Sequence, residues 1–175
     1  MKELNALMRF SAFILSVFIM ASCSLNKDEP FDYTPNTPEI EAQQIKSWLD
    51  TMKGRDNDVY KVTNDTATLF YYIKLDSIGT GEVVKTGDKV TVKYVGMFLN
   101  GTAFDSSEKY TYIHKDTDPD KRMISGWEKG IELLKKGESY AFMFPSAQAY
   151  GAQGSYGVIP PYTPLIFVIE VLDIQ

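Results

Sequence analysis

Apolar residues recur along this chain with two different periods. A two-residue period marks strands and a three-to-four-residue period marks helices. From Thr66 to Asp76, Leu69, Tyr71, Ile73 and Leu75 share one face, with Lys74 and Asp76 on the other. From Lys89 to Leu99, Val90, Val92 and Tyr94 alternate with Thr91 and Lys93. Asn100-Gly101 then signals a hairpin, and the strand after it carries Phe104-Asp105-Ser106-Ser107. Ser139 to Pro145 alternates again through Tyr140, Phe142 and Phe144. Pro164 to Leu172 closes the pattern with Leu165, Phe167, Ile169 and Val171 on one face. Gly79-Thr80-Gly81 and Lys85-Thr86-Gly87-Asp88 punctuate the run as turns.

Two stretches have the helical period. In Ile124 to Gly137, Trp127, Ile131 and Leu134 fall at i, i+4 and i+7, with Glu128, Lys129, Glu132, Lys135 and Lys136 on the other faces. Two to three turns cannot stand alone in water, so this helix must lie on the strands around it. Thr37-Pro38-Glu39 is a helix start, with a capping Thr, Pro at the first helical position and an acid in the first turn. Ile45, Trp48, Leu49 and Met52 form its stripe, and Lys53-Gly54 closes it. That helix packs on the domain or joins a dimer, and the need to bury Trp48 favours packing. Glu108 to Arg122 reads as a long polar segment, and Ser146 to Thr163 as a loop rich in Gly, Tyr and Pro. About five strands with one short inserted helix, preceded by an N-terminal helix, make an α+β pattern. The domain spans residues 66–175, with a helical extension over residues 37–65.

The first 22 residues are of another kind. Lys2 and Arg9 form a positive start, and Phe10 to Ala21 is almost wholly apolar but too short to span a bilayer comfortably. The run Ile19-Met20-Ala21-Ser22-Cys23 resembles a bacterial lipobox. That resemblance implies cleavage before Cys23 and lipidation of its thiol and new amino group. The alternative is an ordinary signal peptide, or an uncleaved anchor, with an incidental Cys. Ser24 to Asn36 is polar, contains Pro30 and Pro35, and reads as a tether with a reach of about 20 Å. Acyl chains would hold the protein on a membrane without a spanning helix. By resemblance to lipoprotein sorting, Ser24 points to the periplasmic side of the outer membrane, while Lys27-Asp28-Glu29 leaves surface export open.

Composition narrows the chemistry. The net charge is −5 and no basic stripe appears, so nucleic acid is a poor candidate partner. His114 is the single histidine and Cys23 the single cysteine, which leaves no Ser-His-Asp or Cys-His arrangement, no zinc set and no internal disulfide. His114 itself reads as a surface loop residue. Asp116, Asp118 and Asp120 have the opening spacing of a calcium loop, but Lys121 and Trp127 stand where Gly and Glu are needed, so they read as a solvated acidic loop. Gly151, Gly154 and Gly157 lie in a Pro-rich loop with no helix after it and do not cradle a phosphate. No metal or cofactor is expected. An apolar aromatic pocket remains, with Tyr94, Phe104, Trp127 and Phe167 as its walls and the Tyr150 hydroxyl and loop amides for orientation.

Val90-Thr-Val-Lys-Tyr-Val-Gly96, Phe104-Asp-Ser-Ser107, Gly126-Trp-Glu-Lys-Gly130, Ala149-Tyr-Gly-Ala152 and Val158-Ile-Pro-Pro161 with Leu165-Ile-Phe167 resemble, in order and spacing, the FKBP-type peptidyl-prolyl cis-trans isomerases. The resemblance covers about Thr66 to Gln175. It implies an antiparallel sheet wrapped around the short helix, with the pocket between them. It further implies that Tyr94 and Phe104 are aromatic walls and Asp105 a lone buried carboxylate. Trp127 becomes the floor under a proline ring, Tyr150 a hydroxyl donor to a substrate carbonyl, and Ile159 and Phe167 the closing wall. Met123 and Ile124 match the pair before the Gly-Trp, with the Ile124 amide binding a ligand carbonyl. Tyr110 and Tyr112 substitute for aromatics of a motif that the Glu108–Arg122 segment lacks. Gln148 replaces an aromatic that the family often carries. The implied function is isomerisation of X-Pro bonds in exported proteins during folding. The alternative is a non-catalytic chaperone or binding module using the same pocket. Proline-containing polypeptides are the implied partners, and macrolide immunosuppressant-type ligands are candidate occupants.

Overall fold

The computed structural model describes residues 36–53, 58–63, 68–76 and 78–175. The lipobox with Cys23, nearly all of the tether, and Gly54 lie outside them. Eight strands and two α-helices are present among the described residues: α1 (Pro38–Met52), β1 (Tyr60–Thr63), β2 (Thr68–Asp76), β3 (Thr80–Val83), β4 (Lys89–Phe98), β5 (Ala103–Ile113), α2 (Ser125–Ile131), β6 (Lys135–Lys136), β7 (Ser139–Phe144) and β8 (Leu165–Ile174). Six strands make one sheet in the order β1-β2-β7-β8-β4-β5, every neighbour antiparallel, and β3 pairs with β6 in a small second ladder. The sheet exceeds the expected five strands because β1, inside the supposed helical extension, pairs with β2.

Each face of the sheet carries its own apolar cluster. Alternation along β7 and β8 sends Tyr140, Phe142, Phe144, Leu165, Phe167, Ile169 and Val171 to the α2 side. It sends Ala141, Met143, Ile166 and Val168 to the α1 side, where they meet Trp48 and Met52. Strand β2 is two-sided as well. Tyr71, Ile73 and Leu75 face α1, while Phe70 and Tyr72, with Leu69 at the strand's start, pack on the α2 side. Fully burying a large apolar side chain contributes about 1.5–3 kcal/mol, so Trp48 and Met52 hold α1 on the domain. Thr37 Oγ1 caps this helix by accepting from the Ile40 amide.

Helix α2 is shorter than its apolar stripe. It ends at Ile131, and Leu134 reaches the core from the turn beyond, through i to i+3 bonds from Leu133 and Leu134 to Gly130 and Ile131. Trp127, Ile131 and Leu134 are all buried. Gly137 is not a helix cap; its φ of +86° turns the chain between β6 and β7. The expected Asn100-Gly101 hairpin joins β4 to β5, with Gly101 at φ +86°. The first part of the expected polar segment, from Glu108 to Ile113, is strand, since β5 runs on to Ile113 and pairs with β4 there.

His114 is a further correction. It follows β5 directly, is fully buried, and its Nε2 lies 3.1 Å from Glu132 Oε1, which also accepts from Lys115 Nζ at 2.7 Å. The acidic residues after it form side-chain turns: Asp116 accepts from the Asp118 amide and Asp118 from the Asp120 amide.

Candidate functional site

Two glycines let α2 sit on the sheet at all. Gly126 and Gly130, one helical turn apart, lie against Phe144 and Phe142. A Cβ on Gly126 would come within 2.6 Å of Phe144, and one on Gly130 within 3.0 Å of Phe142. That close approach presses Trp127, one residue on, into a set of aromatic edges. Its ring centroid lies 5.2 Å from Tyr94, 5.5 Å from Phe167 and 6.3 Å from Tyr112, with interplanar angles of 88°, 84° and 70°. Phe104 stands edge-on to Phe167 at 5.7 Å. The strand register supplies these rings. Gly96 of β4 lies opposite both Asp105 and Phe167, and its missing side chain leaves room for the rings of Phe104 and Phe167, each 2.8 Å from where a Cβ would be.

Trp127 is 1% exposed, so the accessible surface of this box is its rim. Tyr94, Phe104, Met123 and Ile124 are half-buried there, and Tyr110 and Tyr150 are exposed. The Tyr110 hydroxyl reaches Met123 Sδ at 4.0 Å. Ile159 is buried in the same cluster, held by paired backbone bonds with Ser155. The box therefore brings together Tyr94, Phe104, Trp127 and Phe167, with Met123, Ile124 and Ile159 packed against the same core.

Asp105 and Tyr112 differ from their expected settings. Asp105 is exposed, not buried: it lies opposite Gly96 on the box side of β5 but at the open rim, where its carboxylate accepts from the Tyr94 hydroxyl at 2.7 Å. Tyr112 is buried, and its hydroxyl accepts the indole N–H of Trp127 at 2.8 Å. It stands behind the floor and fixes the indole's orientation.

Electrostatics set what the rim can do. Burial, then the bond to Asp105, raises the Tyr94 pKa well above the ordinary tyrosine value. Burial and the nearby Asp105 charge also raise that of Tyr150. Both hydroxyls are therefore protonated donors at neutral pH and not bases. The Ile124 amide makes no backbone hydrogen bond to another described residue, while its carbonyl accepts from Glu128 at the start of α2. Such a rim can orient carbonyls of a bound chain. It holds no activated nucleophile.

Three contacts that sequence reasoning missed hold this rim in place. Gln148 Oε1 accepts from Ser125 Oγ at 3.0 Å and Lys129 Nζ at 2.9 Å, fastening the Tyr150 loop to α2. Arg122 forms a two-pronged pair with buried Glu128, Nε to Oε1 at 3.0 Å and Nη2 to Oε2 at 2.7 Å, which sets the approach to Met123 and Ile124. Glu41 of α1 accepts from Ser146 at the start of the Tyr150 loop. Only the last left a trace in sequence, as an acid four and seven residues before Ile45 and Trp48, on the helix's apolar stripe.

A sheet wrapped on a short helix, with an aromatic box over an indole floor, is the arrangement that the motif resemblance implied. The family model for FKBP-type peptidyl-prolyl cis-trans isomerase matches residues 81–172, and the chain belongs to that family. It is 38% identical over 124 residues to a probable FKBP-type peptidyl-prolyl cis-trans isomerase of Haemophilus influenzae, covering 70% of this chain and 47% of that protein. It is 38% identical over 96 residues to an FK506-binding protein of Neisseria meningitidis, covering 55% and 88%. Among solved structures, a peptidyl-prolyl cis-trans isomerase of Pseudomonas syringae superposes with TM-score 0.65 at 26% identity, covering 81% of this chain and 98% of that one. FkpA of Escherichia coli does so with TM-score 0.61 at 29% identity, covering 77% and 59%. The chain thus spans less than half the length of its Haemophilus relative.

Proposed function

We propose that this protein is a peptidyl-prolyl cis-trans isomerase acting on X-Pro bonds of exported polypeptides, tethered to the bacterial cell envelope through lipid on Cys23. The observation that carries the reading is the box of Tyr94, Phe104 and Phe167 over Trp127, on a chain of this family. The X-Pro amide turns slowly because its C–N bond has partial double-bond character, with a barrier of about 18–20 kcal/mol. Turning it breaks no covalent bond, so the reaction asks for no nucleophile. The twisted amide loses resonance and carbonyl polarity, and apolar walls favour it over the solvated planar form.

In this reading Trp127 lies under the proline ring, and Phe104, Phe167 and Ile159 close around it. The Ile124 amide and the Tyr150 hydroxyl hold flanking carbonyls while the bond turns. Tyr94 and Asp105 act as a bonded pair at the rim, and Met123 and Tyr110 shape its far side. Tyr112 keeps the indole in position. Desolvation with two or three fixed hydrogen bonds supplies about 4–8 kcal/mol, or roughly 10³–10⁶ in rate. Macrolide ligands would enter the same box.

The test is refolding of a protein limited by proline isomerisation. Substoichiometric amounts of the full-length protein should accelerate the slow phase, with an effect proportional to enzyme concentration. Suppression of aggregation with no acceleration would replace the isomerase reading with that of a holding chaperone. For the anchor, Cys23→Ser should move the protein from the membrane fraction to the soluble one, and an unchanged distribution would remove it.

A further inference from the structure

A second cleft lies beside the aromatic box, on the far side of Phe98. Ser47 and Trp48 of α1 form one bank, Phe98 and Thr102 at the β4–β5 turn the other, and Val158 and Pro160 close the end. Its volume is about 740 Å³, within the range of about 300–1,000 Å³ typical of binding pockets. None of the described residues lining it is charged, although charged residues make up 23% of the chain.

Its width is fixed by a polar seam. Gln44 Nε2 donates to Asn36 Oδ1 at 3.3 Å, Asn36 Nδ2 donates to Thr163 Oγ1 at 3.0 Å, and that hydroxyl donates to the Pro161 carbonyl at 3.2 Å. The seam ties the start of α1 to the loop that brings Ile159 to the box. A chain of touching rings links the cleft to the box. The Phe98 ring lies 5.2 Å from Phe104, Phe104 lies 5.7 Å from Phe167, and Phe167 lies 5.5 Å from Trp127. Laid end to end, these three steps set an upper limit of about four or five residues of extended chain. Val158 lines the cleft while its neighbour Ile159 packs in the box cluster, so one strip of loop serves both. Helix α1, which supplies the outer bank, lies before residues 81–172 of the family match.

We propose that this cleft binds an uncharged, extended stretch of the same client polypeptide, within about four or five residues of the proline held in the box. This rests on the isomerase reading and names the substrate class that the site prefers. Phe98, Trp48 and Val158 take apolar side chains, and neighbouring amides and hydroxyls bond the client's backbone. A charged side chain would lose its water and find no partner there.

The test uses the full-length protein and three peptides with one X-Pro core: the core alone, the core with uncharged apolar arms on both sides, and the core with Lys and Asp in those arms. The apolar arms should lower KM about tenfold with kcat unchanged, the gain expected from burying one apolar side chain. The charged arms should give no gain. Ser47→Arg and Thr102→Arg, both at exposed positions, should abolish the gain and leave turnover of the core peptide as it was. Equal KM for the three peptides, or a gain that survives both substitutions, would overturn the proposal. Should no peptide be turned over, the isomerase reading fails separately. Equilibrium binding of the apolar-armed peptide then decides the cleft: weakened binding in Ser47→Arg sustains it, and unchanged binding overturns it.

Discussion

The carboxylate of Glu41, on the outer helix, accepts both the backbone N–H of Ser146 at 2.5 Å and its hydroxyl at 2.7 Å. Glu41 is 9% exposed, so this is a buried charge satisfied by the start of the loop that carries Gln148 and Tyr150. Glu41→Ala strands two buried donors and should cost about 2–4 kcal/mol in urea denaturation. Activity should fall several-fold beyond the loss of folded protein, because the Tyr150 loop loses its anchor. A stability change below about 0.5 kcal/mol, the scale of an ordinary surface substitution, would show that the contact is dispensable.

Gly96→Ala tests the packing of the box. The added methyl must displace two rings, Phe104 and Phe167, each 2.8 Å from its position. Overpacking of this kind costs about 1–3 kcal/mol. The expected signature is a larger loss in kcat/KM than in stability, since both displaced rings are walls of the site. An alanine variant with wild-type kinetics would contradict the assignment of those walls.

Tyr112→Phe removes the acceptor of the Trp127 indole N–H and keeps the ring. An unsatisfied buried donor costs about 1–3 kcal/mol. Thermal melting should register that loss, and indole fluorescence should shift as the N–H loses its partner. Identical melting and emission would mean that the floor does not depend on Tyr112.

Glu170 gives a pH signature. Burial raises its pKa above the ordinary carboxylate value, Lys93 opposes that, and Asp76 and Glu108 add to it. A raised folded pKa contributes stability that is present at low pH and lost as pH rises through it. Glu170→Gln does not titrate, so it should be the more stable protein at neutral pH, by a fraction of a kcal/mol for this half-exposed site. That advantage should vanish in acid, where Glu170 is protonated. A pH-independent difference would exclude the titration as its cause.

Periodicity made the sheet legible, because β4, β7 and β8 each bury one alternating set of apolar residues on α2. It did not reveal the second covered face, since Phe70 and Tyr72 on β2 interleave with Tyr71 and Ile73 and blur the alternation. The strand through Phe104 was legible, but the continuation of β5 from Glu108 to Ile113 was hidden by its exposed, polar residues, which sit at a sheet edge where little is buried. The aromatic residues of the box could be read from motif order, but their setting could not. Exposure of Asp105 comes from its place at the open rim of the box, and His114 meets Glu132 only once the chain folds, where Lys115 bonds the same carboxylate. Long-range anchors such as Glu41 with Ser146 span 105 residues and leave little local trace.

Cis-to-trans isomerisation of a short X-Pro peptide by the wild-type protein and by Trp127→Leu tests the account most directly. Wild type should accelerate the reaction by at least about 10³ over the uncatalysed rate. Trp127→Leu, shown to be folded by its far-UV spectrum, should lose at least about tenfold in kcat/KM. A folded wild-type protein with no acceleration, or a leucine variant as active as wild type, would contradict the proline pocket built on Trp127.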